Sequence, residues 1–126
     1  MRMLTILLFI SFSAFAQEDI ERYKLYPTDN INIHLKLDTQ WGYVYMVQRR
    51  SNDVESMTIQ IDEVSPHVYR KEVISSEERF PIGRYKLYPT QNMWTFLLLD
   101  VIDGHTYQVQ WGFDNESRFV EIIDSE

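Results

Sequence analysis

Few side chains in this 126-residue sequence are of the types that do chemistry, and their spacing narrows what chemistry is open to them. There is no cysteine, which removes thiol catalysis, thiolate metal ligation and disulfide stapling together. The three histidines, His34, His67 and His105, lie far apart without the ligand spacing of a zinc site. His34, Lys36 and Asp38 alternate along one stretch and so share a strand face. Such a face can bind an anion or, with a third ligand, a metal; a solvated polar face gives the same pattern. Two carboxylate pairs, Asp38/Asp100 and Asp62/Asp124, recur at a fixed offset. Acid–base work needs two carboxyl groups roughly 5–10 Å apart with unequal pKa values, whereas Asp38 and Asp100 open turns, where capping alone explains them. No glycine-rich phosphate loop and no GxSxG elbow is present, and Asp100 to Gly104 lacks the further carboxylates of a calcium loop. The expectation is a protein that is not an enzyme and uses no cofactor and no metal.

Aromatic residues carry a stronger suggestion. In Trp94-Thr95-Phe96-Leu97-Leu98-Leu99 both alternating faces are apolar, and a strand of that kind must be covered twice. Trp94, Phe96 and Leu98 then either pack inside the molecule or form a patch for a partner. Trp41 falls at a hairpin tip, where it can anchor a partner, stack on a sugar ring or pack over a neighbouring strand. Trp111 follows Gln108 and Gln110, side chains that suit a hydroxyl-rich ligand and equally suit an exposed strand.

These residues need a scaffold, and composition points to its class. Residues 1–16 read as a signal peptide: Arg2 gives the positive start, Leu4 to Phe12 the apolar stretch, and Ala14-Phe15-Ala16 the small-x-small cleavage site. That apolar stretch is too short to span a bilayer. The 110 residues that follow contain no alanine but are rich in Val, Ile, Thr and aromatics, a mixture that favours strands over helices. Their 11 basic and 19 acidic side chains leave a net charge of −8, which disfavours nucleic acid and anionic lipid as partners. Length and the absence of cross-links call for one domain with one core. An exported protein, periplasmic or secreted and without membrane insertion, is the corresponding expectation.

An internal repeat organises the chain. Arg22-Tyr23-Lys24-Leu25-Tyr26-Pro27-Thr28 recurs letter for letter as Arg84-Tyr85-Lys86-Leu87-Tyr88-Pro89-Thr90, and 15 of the 27 positions from 22 to 48 are identical at an offset of 62. Residues 22–63 form one unit and 84–125 another, joined by a connecting segment, 64–83. Two copies are too few for a solenoid. In Ile31-Asn32-Ile33-His34-Leu35-Lys36-Leu37 every odd residue is apolar, the period of a strand with one face in the core. Tyr43, Tyr45 and Val47 continue the odd set if the intervening turn, Asp38 to Gly42, holds three or five residues. Tyr-Pro-Thr-x-Asn is turn chemistry between the first two strands of each unit, and a fourth strand follows at Met57 to Ile61 and at Arg118 to Ile123. Val68 to Ile74 can add a short strand, and Ser75 or Ser76 can cap a helical turn. The sequence thus predicts an all-β, antiparallel fold of about eight strands in two tandem four-stranded repeats, as a small sandwich or a partly closed barrel. Its expected core is Ile33, Leu35, Leu37, Tyr45, Val47, Ile59 and Ile61 with Leu97, Leu99, Tyr107, Val109, Phe119 and Ile123.

The segments Tyr88-Pro89-Thr90-Gln91-Asn92-Met93-Trp94-Thr95-Phe96-Leu97-Leu98-Leu99-Asp100 and Tyr107-Gln108-Val109-Gln110-Trp111-Gly112 resemble an uncharacterised group of small bacterial proteins. Those proteins carry a YPTxNxxxFLxLD…G…VQW unit, often twice. The resemblance implies kinship and a bacterial origin and brings no activity, ligand or catalytic residue with it. The first unit departs from the pattern, with Asn32, His34 and Lys36 where the second has Trp94, Phe96 and Leu98, and Arg49 in place of Trp111.

Taken together, the residues predict an exported, non-enzymatic binding domain that joins a protein partner or a second copy of itself through the strand face of Trp94, Phe96 and Leu98, with Trp41. The alternative is a carbohydrate-binding module that uses Trp41, Trp94 or Trp111 as a platform.

Overall fold

The turns decide this fold, because each brings two strands into one register and repeats in both units. The computed structural model describes residues 21–62 and 80–123. The expected signal peptide at 1–16, the expected short strand over 68–74 and cap at Ser75 or Ser76, and the residues His67 and Asp124 all lie outside the described residues. The first unit forms β1 (Tyr23–Pro27), β2 (Ile33–Asp38), β3 (Val44–Gln48) and β4 (Met57–Gln60); the second forms β5 (Tyr85–Pro89), β6 (Thr95–Asp100), β7 (Thr106–Gln110) and β8 (Phe119–Ile122). Each unit is an antiparallel meander, β1-β2-β3-β4 and β5-β6-β7-β8. The fold is all-β, two four-stranded sheets in a sandwich rather than a closed barrel. Register is preserved at the same offset throughout: Tyr23 faces Asp38 as Tyr85 faces Asp100, and Tyr45 faces Gln60 as Tyr107 faces Ile122.

Both turn types follow from local hydrogen bonding. In the Tyr-Pro-Thr-x-Asn turn, the Thr28 hydroxyl donates to the Ile33 carbonyl at 2.7 Å, and the Asn32 amide donates to Asn30 Oδ1 at 2.9 Å. Thr90 to Thr95 and Trp94 to Asn92 repeat those bonds at 2.8 and 2.9 Å. These short polar side chains satisfy backbone groups that the ladder leaves open, the reason such residues mark turns. At the opposite end, Asp38 Oδ1 accepts the amides of Gln40 and Trp41, and Asp100 Oδ1 those of Ile102 and Asp103. Gly42 and Gly104 close these loops at φ of 81° and 80°, a region that L-residues avoid.

This second loop corrects the expected core. Asp38 donates its amide to the Tyr43 carbonyl, so the loop holds four residues, and the odd residues of β2 share a face with the even residues of β3. Ile33, Leu35 and Leu37 are buried as expected, but Val44 and Met46 join them, while Tyr45 and Val47 lie half-buried on the other face. A register shift of one residue inverts a whole strand. In the second unit Phe96, Leu98, Tyr107 and Val109 are buried, and Leu97, Leu99 and Phe119 sit on the opposite side, with Ile123 exposed.

The two units therefore bury opposite faces. Leu35 and Leu37 are inside, but their counterparts Leu97 and Leu99 are outside; Tyr85 and Leu87 are inside, but Tyr23 and Leu25 are exposed. One core joins the inner face of the first sheet to the inner face of the second. The Pro27–Thr28 and Pro89–Thr90 turns adjoin across a small crevice, so like ends of the units lie together. The copies are stacked front to back, with the same orientation.

Polar links fix that stacking. The outward edge of β5 meets the first unit: the Tyr85 amide donates to the Thr39 carbonyl at 2.9 Å, the Gly83 amide to the Thr39 hydroxyl at 3.1 Å, and the Tyr26 phenol oxygen hydrogen-bonds the Leu87 backbone. Burial raises the pKa of the Tyr26 phenol. On the far side the Val120 amide reaches Asp62 Oδ2 at 3.4 Å. Edge amides that would otherwise be bare are thereby satisfied.

Candidate functional site: an aromatic cleft beside β6 and β7

The register of β6 and β7 also sets a concave aromatic feature at one end of the second sheet. Thr95 faces Gln110, so the residues just beyond the strands, Trp94 and Trp111, are cross-strand neighbours. The Trp111 amide donates to the Trp94 carbonyl at 3.0 Å, and Trp111 Nε1–H to the Met93 carbonyl at 2.8 Å. Their rings meet at 4.5 Å between centroids, inclined by 42°, and Phe113 packs edge-on to both at 6.2 and 5.9 Å. Such geometries suit the ring quadrupoles. Trp111 is fully buried as the floor, whereas Trp94 remains 36% and Phe113 54% exposed.

The chain from Gly112 onward holds this arrangement. Arg118 donates from one guanidinium nitrogen to the carbonyls of Gly112, at 2.9 Å, and Phe113, at 3.0 Å, and the Ser117 hydroxyl bonds the Asp114 carbonyl at 2.7 Å around a 3-10 turn, Asn115–Ser117. Ser117 presses against Gly112 where any side chain would project, so glycine lets the turn fold back. The result is a cleft of about 290 Å³ lined by Trp94, Trp111 and Phe113 with Gln110, Asp114 and Ser117. An apolar floor ringed by a few hydrogen-bonding groups is the usual make-up of a small-ligand site.

The residues singled out from sequence separate here. Trp94 lies at the cleft and is exposed, but Phe96 and Leu98 face the core, so the three do not form one open face. Trp41 is half-buried, stacked on Phe80 at 4.8 Å, and Trp111 is the cleft floor. Phe113, Asp114 and Ser117 were not anticipated. Asn115-Glu116-Ser117 reads as a glycosylation sequon or a turn, and only the pairing of Trp94 with Trp111 signals that this loop closes an aromatic site.

The polar candidates serve the scaffold. Lys36 Nζ lies 4.8 Å from the centre of the Tyr45 ring and 6.0 Å from that of Tyr23, while Asp38 turns into its loop and binds Arg22 at 3.3 Å. Burial, followed by the Asp38 charge and neighbouring phenols, raises the Tyr45 pKa. Asp100 binds Arg84 through two nitrogens at 3.1 and 2.7 Å, and Arg84 also reaches Asp103 at 2.8 Å. Burial alone would lower the Arg84 pKa, but the Asp100 bond and the surrounding charges outweigh it and raise the pKa. No group of three or more His, Cys, Asp or Glu among the described residues is placed to hold a metal ion, and no helix there is long and apolar enough to cross a membrane.

No protein-family model, no curated protein and no solved structure matches this chain.

Proposed function

We propose that this chain is an exported, non-enzymatic binding domain, periplasmic or secreted, and that the cleft at Trp94, Trp111 and Phe113 takes a sugar ring. The observation that carries this reading is the exposure of Trp94 and Phe113 over a buried Trp111, with Gln110, Asp114 and Ser117 at the rim. The C–H face of a pyranose stacks on an aromatic ring much as another apolar surface does, and ring hydroxyls want an amide, a carboxylate and a hydroxyl within reach. A cleft of about 290 Å³ has room for a single ring. Trp111, anchored through its indole N–H, holds Trp94 in place and limits the ordering needed on binding. A protein partner docking on the β6 face is less well supported, since Phe96 and Leu98 are committed to the core.

Intrinsic tryptophan fluorescence, titrated with soluble cello-, xylo-, malto- and chito-oligosaccharides, tests the reading. At least one series shifts the emission saturably, and Trp94→Ala and Phe113→Ala each weaken binding tenfold or more, measured by calorimetry, with the urea unfolding midpoint little changed. Absence of binding in every series, or variants that bind like the parent, would remove the sugar assignment.

A further inference from the structure

Front-to-back stacking has an unused half. A contact between two unlike faces leaves one face of each kind free, and the same step can be taken again by another molecule. Here the internal joint is made where Tyr26 and Thr39 of the first unit meet Leu87 and Tyr85 of the second. Their counterparts at the offset of 62 are Tyr88 and Val101 on one free face and its rim, and Leu25 and Tyr23 on the other. All four are exposed: Tyr88 and Val101 each 45%, Leu25 64% and Tyr23 49%. The outward edge of β1, like that of β5, presents its amides away from its only partner strand among the described residues.

We propose that copies of this chain join head to tail, the outer face of β5–β8 in one molecule packing on the outer face of β1–β4 in the next and repeating the internal joint. Tyr88 of one copy lies over Leu25 of the next, and the Val101 carbonyl receives the Tyr23 amide. The free faces are weakened versions of the internal one. His34, Lys36 and Arg49 replace Phe96, Leu98 and Trp111 on one, and Gln108 and Glu121 replace Met46 and Ile59 on the other. Lys36 and Arg49 on the first face meet Glu121 on the second, but Lys86 shares that second face with Tyr88 and Leu99, so charge does not drive the contact and it stays weak and reversible. The sugar cleft lies beyond the ends of β6 and β7, so the two readings fail separately.

Sedimentation velocity on the purified protein at concentrations up to about 1 mM, high enough to populate a contact of millimolar affinity, tests the proposal. The mean mass rises with concentration and passes beyond the dimer. Leu25→Glu and Tyr88→Glu each disable one face at an exposed side chain, so each variant alone stays monomeric with a native circular-dichroism spectrum. Mixed, they retain one good pair of faces and form a one-to-one heterodimer that grows no further. A parent that is monomeric throughout, a single variant that still dimerises, or a mixture that forms no heterodimer each overturns it.

Discussion

Arg22 with Asp38 and Arg84 with Asp100 are the same two residue types in the same register, yet they occupy different surroundings. The first arginine is 43% exposed and touches its aspartate at 3.3 Å; the second is 3% exposed, doubly bonded to Asp100 and shared with Asp103. The difference comes from which face each sheet covers, not from the motif. A repeated sequence thus fixes local geometry twice, while its energetic weight depends on what lies above it. Surface ion pairs contribute little, whereas loss of one partner from a buried pair leaves a charge with no water to hold it.

Exchanging residues between the units sharpens the contrast. Leu98→Lys installs the residue that the first unit carries at Lys36, but at a fully buried position. The expected cost is about 4 kcal/mol or more, enough to abolish cooperative unfolding in urea, whereas Lys36→Leu stays within about 0.5 kcal/mol of the parent. Arg84→Ala comes next, losing about 3–5 kcal/mol by chemical denaturation because Asp100 is left buried beneath a site that water does not reach, and Arg22→Ala loses less, because Arg22 is itself 43% exposed and its removal opens Asp38, 4% exposed in the parent, to water. The last comparison is one in which the units should agree. Thr28→Ala and Thr90→Ala each lose about 1 kcal/mol, because the hydrogen bonds they remove are matched in both turns. A clear inequality in that pair would mean that the turns are not autonomous.

Strand count, order and the offset of 62 were legible in the sequence, because alternation and turn residues are local signals. Asp38, Gly42, Thr28 and Asn30 sit where their chemistry places them. Two things were hidden. The parity of β3 depends on whether a loop holds four residues or five, and Asp-x-x-x-Gly accommodates either until the Asp38–Tyr43 bond is known. The buried side of β6 was ambiguous because Phe96-Leu97-Leu98-Leu99 is apolar on both faces and so carries no period. That same run hid the cleft: with Phe96 and Leu98 placed on an open face, Trp94 appears as part of a strand patch. It is instead the partner of Trp111 at a strand end. Phe113 was out of reach, because its position depends on Arg118 and Gly112 folding a loop back.

Apart from β2 against β5, the main packing partners are strands consecutive in the chain. Each meander can therefore be assembled from successive hairpins, with short loops to close and little search. Covering the apolar faces is a different matter, since Leu35 and Met46 have no lid until Phe96 and Leu98 exist. At roughly 5–20 residues per second of synthesis, an offset of 62 residues keeps the first sheet waiting on the order of 3–12 s for its cover. For that interval the half-made protein presents both an unpaired edge and a bare apolar face.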